Sequence, residues 1–135
     1  MKNYGYNWGM AHPKVLIADD DPDNLASISR YLNLEGFACG KVSSGFEAMG
    51  RLTDHPPACC LLDFGMDLDS LMICRRVRAN PETKDLPMVL FVLTEADEGA
   101  ALAAGASAVI YKPFHLATIA AVFRQLTGYE ERPQF

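Results

Sequence analysis

The chain has 135 residues, half of them apolar and 21% charged, with a formal net charge of −5. That length suits one domain burying about 68% of its extended-chain surface, and the acidic balance argues against the basic footprint of a nucleic-acid binder. No apolar run reaches the ~18 residues of a membrane span and the N-terminus lacks a signal-peptide core, so a cytoplasmic protein with no membrane partner is expected.

Residues 1–13, MKNYGYNWGMAHP, are rich in Gly, Asn and aromatics and carry no period. They read as an irregular arm, with Tyr4, Tyr6 and Trp8 in an extension rather than a docking element. The run VLIA at 15–18 is a strand. In PDNLASISRYLNLEG, Leu25, Ile28 and Leu32 recur at helical spacing until Gly36 stops the helix. FACGKV (37–42) is a weak strand. SSGFEAMGRLTDHPP follows with Phe46, Met49 and Leu52 on one helical face and Pro56–Pro57 as terminators.

ACCLLDF (58–64) is an apolar run broken by one acid, and SLMICRRVRAN repeats Leu71, Cys74 and Val77 every three residues. PETKDLP is turn-rich. MVLFVL (88–93) is the most apolar stretch, EADEGAALAAG is short and helix-permissive, and SAVIY (107–111) is a last strand. LATIAAVFRQLTG then carries apolar positions 116, 119, 122, 123 and 126, and YEERPQF (129–135) reads as a frayed tail. Continuous apolar strands alternating with helices imply a parallel sheet covered on both faces, with right-handed crossovers: a single doubly wound α/β three-layer sandwich over 14–128.

The four cysteines, Cys39, Cys59, Cys60 and Cys74, show no C-x-x-C spacing and no ligand-like relation to His12, His55 or His115. They read as small buried hydrophobes in a reducing compartment, with Cys59 and Cys60 pointing to opposite sheet faces.

In an open parallel sheet, function collects at the carboxyl ends of the strands. Here the first strand ends at Asp19-Asp20, the third carries Asp63, the fourth ends at Thr94 and the fifth at Lys112-Pro113. Three carboxylates, a hydroxyl and an ammonium on one rim form an oxygen-rich pocket suited to Mg²⁺ and to phosphoryl groups. One carboxylate can itself be the nucleophile, and Asp63, standing alone at a central strand end, is the candidate beside an Asp19–Asp20 metal clamp. Asp21 and Asp23 read as caps of the first helix beside Pro22, Asp67 and Asp69 as solvated loop acids, and Arg75, Arg76 and Arg78 as a solvated face.

VLIADDDPDN, LLDFGMD, VLTEA and AGASAVIYKPF, in this order over five alternating units, resemble the receiver domain of bacterial two-component response regulators. The resemblance spans Lys14 to Gly128. It implies a flavodoxin-like (βα)5 fold with strand order 2-1-3-4-5 and Asp63 as phospho-acceptor. Asp20 would be a direct Mg²⁺ ligand, Asp19 one acting mainly through water, and the Gly65 carbonyl would complete the protein's share of coordination. Lys112 would pair with the phosphoryl group next to a cis Pro113, and Thr94 would bond a phosphoryl oxygen. It further implies a histidine kinase or phosphotransfer protein as donor and a downstream protein target, reached by a monomer or weak homodimer through protein contacts alone.

The sequence departs from that pattern in three places. Asp67 stands where the family has proline and one residue is missing before Asp69-Ser70, which suggests a flexible loop with extra negative charge beside the metal. The segment before Thr94 is long and the one after it short, so the fourth helix is expected to be truncated; a two-residue shift would put Val92, on the same strand face, at the switch position instead of Thr94. Val109 stands where the family often has a rotating aromatic. A phosphorylation-independent pseudo-receiver scaffold is therefore the alternative. A phosphatase of the haloacid dehalogenase type fits less well, because the acidic run enters Pro22-Asp23 and the chain is short for a cap. A flavodoxin-like carrier lacks its hydroxyl-rich phosphate loop.

Overall fold

The computed structural model describes residues 12–130. Ten elements alternate along it: β1 (Lys14–Ala18), α1 (Pro22–Leu34), β2 (Ala38–Val42), α2 (Gly45–Asp54), β3 (Cys59–Leu62), α3 (Ser70–Ala79), β4 (Met88–Val92), α4 (Glu95–Ala104), β5 (Ala108–Tyr111) and α5 (Leu116–Thr127). All strand pairs are parallel and the sheet runs β2-β1-β3-β4-β5. This is the doubly wound order expected, and β1 and β3 meet at its switch point.

Strand alternation builds two cores. One face carries Leu16, Ala18, Cys60, Leu62, Met88, Leu90 and Val92 against Leu52 of α2, Ile73 and Val77 of α3, and Ala101 and Ala104 of α4. The other carries Val15, Ile17, Cys59, Leu61, Val89 and Phe91 against Ile28 and Leu32 of α1 and Ile119 and Phe123 of α5. Cys59 and Cys60 thus do point to opposite faces, and all four cysteines are free. Burial pushes the Cys39 and Cys59 thiols up to about 12, so they behave as hydrophobes rather than nucleophiles. Asp21 caps α1 by accepting from the Asp23 N–H, with Pro22 opening the helix.

Three details differ from the sequence reading. Phe46 is 76% exposed, because α2 buries Gly45, Ala48 and Leu52 instead, a stripe shifted by one residue. The reason is a close approach: a Cβ on Gly45 would stand 2.6 Å from the Leu68 carbonyl oxygen. Strand β4 ends at Val92, and Leu93 turns outward. Helix α4 has ten residues, as many as α2 and α3. Tyr129, assigned to the frayed tail, packs its ring edge-on against Phe37 at 5.1 Å. Apart from His12, Pro13, Tyr129 and Glu130, the arm at 1–13 and the tail at 129–135 lie outside the described residues. Among the described residues no helix is long and apolar enough to cross a membrane.

Candidate functional site

The carboxyl edge of the sheet gathers the acids. Asp19 follows β1 directly and is buried, with its N–H donating to the Val42 carbonyl at 3.2 Å. Asp63 follows β3, and its N–H donates to the Ala18 carbonyl at 3.0 Å, so the ladder itself sets the two acids side by side. Asp20, the next residue, turns into solvent. One carboxylate oxygen from each of Asp19, Asp20 and Asp63 lies within 4.8 Å of the others.

Two like charges at that separation repel by roughly 3–4 kcal/mol at an effective dielectric near 20. Partial compensation comes from named donors. The Asp21 N–H and the Asn24 side-chain amide donate to Asp19 at 2.9 and 3.3 Å, and the Gly65 N–H to Asp63 at 3.4 Å. The Lys112 ammonium stands 2.6 Å from Asp63 Oδ1. It also lies 5.0 Å from the centre of the Phe91 ring, which stacks on Phe114 and so gives the ammonium a cation–π floor. Burial pushes the Asp19 carboxyl up and the Asp63 charge adds to this, against the Asp21 hydrogen bond and Lys112. The cluster therefore holds more negative charge than its own cation offsets.

A cavity of about 270 Å³ opens on this cluster, lined in part by Asp63, Gly65, Phe91, Val92, Leu93 and Lys112. The Lys112–Pro113 peptide is cis, as the resemblance implied. The donor set is wholly oxygen, from carboxylates of which two are buried at adjacent strand ends. That chemistry fits a hard divalent cation such as Mg²⁺ and does not suit a softer metal.

Thr94 does not join this cluster. It is the N-cap of α4: its hydroxyl accepts from the Asp97 N–H at 3.1 Å, while the Asp97 carboxylate accepts from the Leu93 and Thr94 N–H groups, both at 3.1 Å. This reciprocal box draws the chain out of the sheet after Val92 and leaves Thr94 exposed. Val92, the last residue of β4, lines the cavity with its apolar side chain buried. The signal was in the sequence, since T-E-A-D is a capping box as well as a strand end.

Asp67 and Asp69 are exposed loop acids outside the cluster, as expected, but each has a hydrogen-bonding role. Asp67 accepts from the Gly45 N–H at 2.7 Å, and Asp69 caps α3 through the Leu71 N–H at 3.0 Å. The loop expected to be flexible is thus tied to α2 at one end and α3 at the other. The extra carboxylate spends its charge on a helix N-terminus.

Comparison with known proteins gives a consistent picture. The profile of the response regulator receiver domain matches residues 15–124. The transcriptional regulatory protein PrrA of Mycobacterium tuberculosis is 37% identical over 121 residues, covering 87% of this chain and 51% of the relative. The phosphate regulon transcriptional regulatory protein PhoB of Rhizobium meliloti is 33% identical over 106 residues, covering 76% and 46%. The chain therefore spans about half the length of the curated relatives it matches. Among solved structures, the signal receiver domain of a Syntrophus aciditrophicus histidine kinase superposes with a TM-score of 0.80 at 24% identity, over 90% of this chain and 95% of that one. The receiver domain of a Pseudomonas aeruginosa sensor histidine kinase, solved with magnesium in its active site cleft, does so at 0.79 and 22%, over 87% and 98%. With the fold, the acidic strand ends and the family profile in agreement over most of its length, the chain belongs to the response regulator receiver domain family of two-component systems.

Proposed function

We propose that this receiver domain accepts a phosphoryl group on Asp63 from a phosphohistidine of a histidine kinase or phosphotransfer protein, and signals through protein contacts that depend on that group. The observation that carries this reading is the convergence of Asp19, Asp20 and Asp63 within 4.8 Å, with Lys112 2.6 Å from Asp63. An Asp63 carboxylate oxygen attacks the donor phosphorus, the P–N bond breaks, and the pair of electrons returns to the donor imidazole, which takes up a proton. Lys112 balances the charge that builds on the transferred group, held in line by the Phe91 floor. Asp19, Asp20, Asp63 and the Gly65 carbonyl would hold Mg²⁺, which supplies further neutralisation of the phosphoryl oxygens when bound.

Val92 in place of a hydroxyl leaves the phosphoryl group one donor short on the β4 side. The regulatory output would therefore differ in detail from receivers that use such a donor, while the chemistry at Asp63 keeps all its charged parts. The relatives named as transcriptional regulatory proteins suggest transcription control as one downstream setting.

Incubation with a small-molecule phosphodonor and Mg²⁺, followed by intact-mass measurement, tests the reading. One phosphate should be gained with Mg²⁺, little without it, and none by Asp63→Asn. No gain would favour a scaffold that keeps the fold without the chemistry, and a gain that survives Asp63→Asn would reject Asp63 as the acceptor.

A further inference from the structure

The β4–α4–β5 quarter lacks both the hydroxyl and the aromatic that the family pattern would supply at Val92 and Val109, yet it holds an aromatic hydroxyl of its own. Tyr111 is the last residue of β5, in register with Val92 of β4, and by alternation it faces the same side as Val109, which packs in the core beneath α4. Its hydroxyl donates to Glu98 Oε1 on α4 at 2.6 Å. It is 39% exposed, so the bond is not made merely to satisfy a buried group.

Tyr111 stands between two anchored points. The next residue, Lys112, holds Asp63 through its ammonium and the Val92 carbonyl through its N–H at 2.9 Å. On the other side, α4 buries only Ala101 and Ala104, and its Leu102 is half exposed. A helix with so few buried side chains is drawn from the low-stability end of the fold, and the Tyr111–Glu98 bond adds to the anchorage given by its capping box and its two buried alanines. The first turns of α4 are acidic, with Glu95, Asp97 and Glu98, and Asp97 is bonded to the backbone of Leu93, which lines the Asp63 cavity. A phosphoryl group in that cavity adds negative charge beside an already negative helix end.

We propose that Tyr111 is a positioning residue that latches α4 to β5 through Glu98 while Lys112 is paired with Asp63, and that loading of Asp63 opens this latch. The proposal rests on the phospho-acceptor reading of Asp63. Lys112 turns toward the phosphoryl oxygens, the end of β5 follows, and the added charge pushes Glu98 away. The coupling is reciprocal: whatever opens the latch must also favour the loaded state.

Hydrogen exchange of the α4 amides, with and without beryllofluoride plus Mg²⁺ as a phosphoryl mimic, reads the latch directly. In the wild type, loading should speed exchange across Glu95–Ala104. In Tyr111→Phe and Glu98→Ala, exchange there should be fast already and change little on loading, and beryllofluoride should bind on the order of fivefold more tightly. A purely structural role would alter the starting exchange but leave the response to loading and the affinity unchanged. An α4 response in Tyr111→Phe equal to that of the wild type overturns the latch alone. Failure of the wild type to bind beryllofluoride at all overturns the phospho-acceptor reading, and the latch with it.

Discussion

The two halves of the carboxyl edge are built on different principles. On the β1–β3 side, like charges are forced together by the strand ladder: the Asp63 N–H bonds to Ala18 O, and the Asp19 and Asp63 side chains have no room to splay apart. On the β4–α4–β5 side, polar groups satisfy one another instead, through the Thr94–Asp97 box and the Tyr111–Glu98 bond. The first half stores electrostatic strain that a cation or a phosphoryl–Mg²⁺ pair relieves. The second half satisfies its polar groups locally. A receiver needs both, since a site without strain would bind nothing and an output face without closed hydrogen bonds would have no resting state.

The largest effect should come from removing strain on the acidic side. Asp19→Asn should weaken Mg²⁺ binding more than tenfold and yet stabilise the metal-free protein by on the order of 1–3 kcal/mol, since a repelling charge is lost. The pH dependence has a definite sign. The folded-state pKa of Asp19 is raised above its ordinary 3.8, so its contribution to stability is fully present below about pH 4 and is lost as pH rises through the folded value. The stability gap between Asp19→Asn and the wild type, read by urea denaturation without metal, should therefore shrink toward acid. A gap that widens toward acid would break the comparison.

Asp67→Ala comes next, because it removes a carboxylate that ties the loop after β3 to the start of α2. Loss of the 2.7 Å bond to the Gly45 N–H should cost about 1.5–3 kcal/mol and loosen the loop, seen as faster hydrogen exchange at Gly45. Mg²⁺ affinity should change little, because Asp67 is neutralised by α2 rather than aimed at the cluster. A marked gain in Mg²⁺ affinity would show that its charge reaches the metal after all.

The smallest effect is expected at Thr94. Thr94→Ala should cost about 1 kcal/mol through the lost cap and leave the rate of phosphorylation by a small-molecule donor unchanged. A strong effect on that rate would return Thr94 to the site and show that the capping box opens during the reaction.

The same contrast explains what was legible in the sequence. Asp19, Asp20, Asp63 and Lys112 could be placed because each stands at the end of an apolar run, and like charges in such places demand a reason. The parallel sheet covered on both faces followed from the continuous apolar runs, and its strand order from the family resemblance. Phe46 was misplaced because Gly45 and Ala48 bury without announcing a face, and a large aromatic outweighs them in any periodic count. Thr94 was misplaced because its hydroxyl has two competing uses, and the local one, fixed by Asp97 three residues on, prevailed over the distant one. Asp67 carried no sequence signal for its partner, since Gly45 lies 22 residues away. Local hydrogen bonds and long-range contacts of small residues are the two effects that an apolar pattern does not record.

The central claim is that the strained acidic pair carries the chemistry at one position. Borohydride reduction of the phosphodonor-treated protein, followed by peptide mapping, locates the acyl phosphate because only that mixed anhydride, and no free carboxylate, is reduced to an alcohol. Homoserine at position 63, formed only when Mg²⁺ is present, is the predicted outcome; reduction at position 19 or 20, or at none, would contradict it.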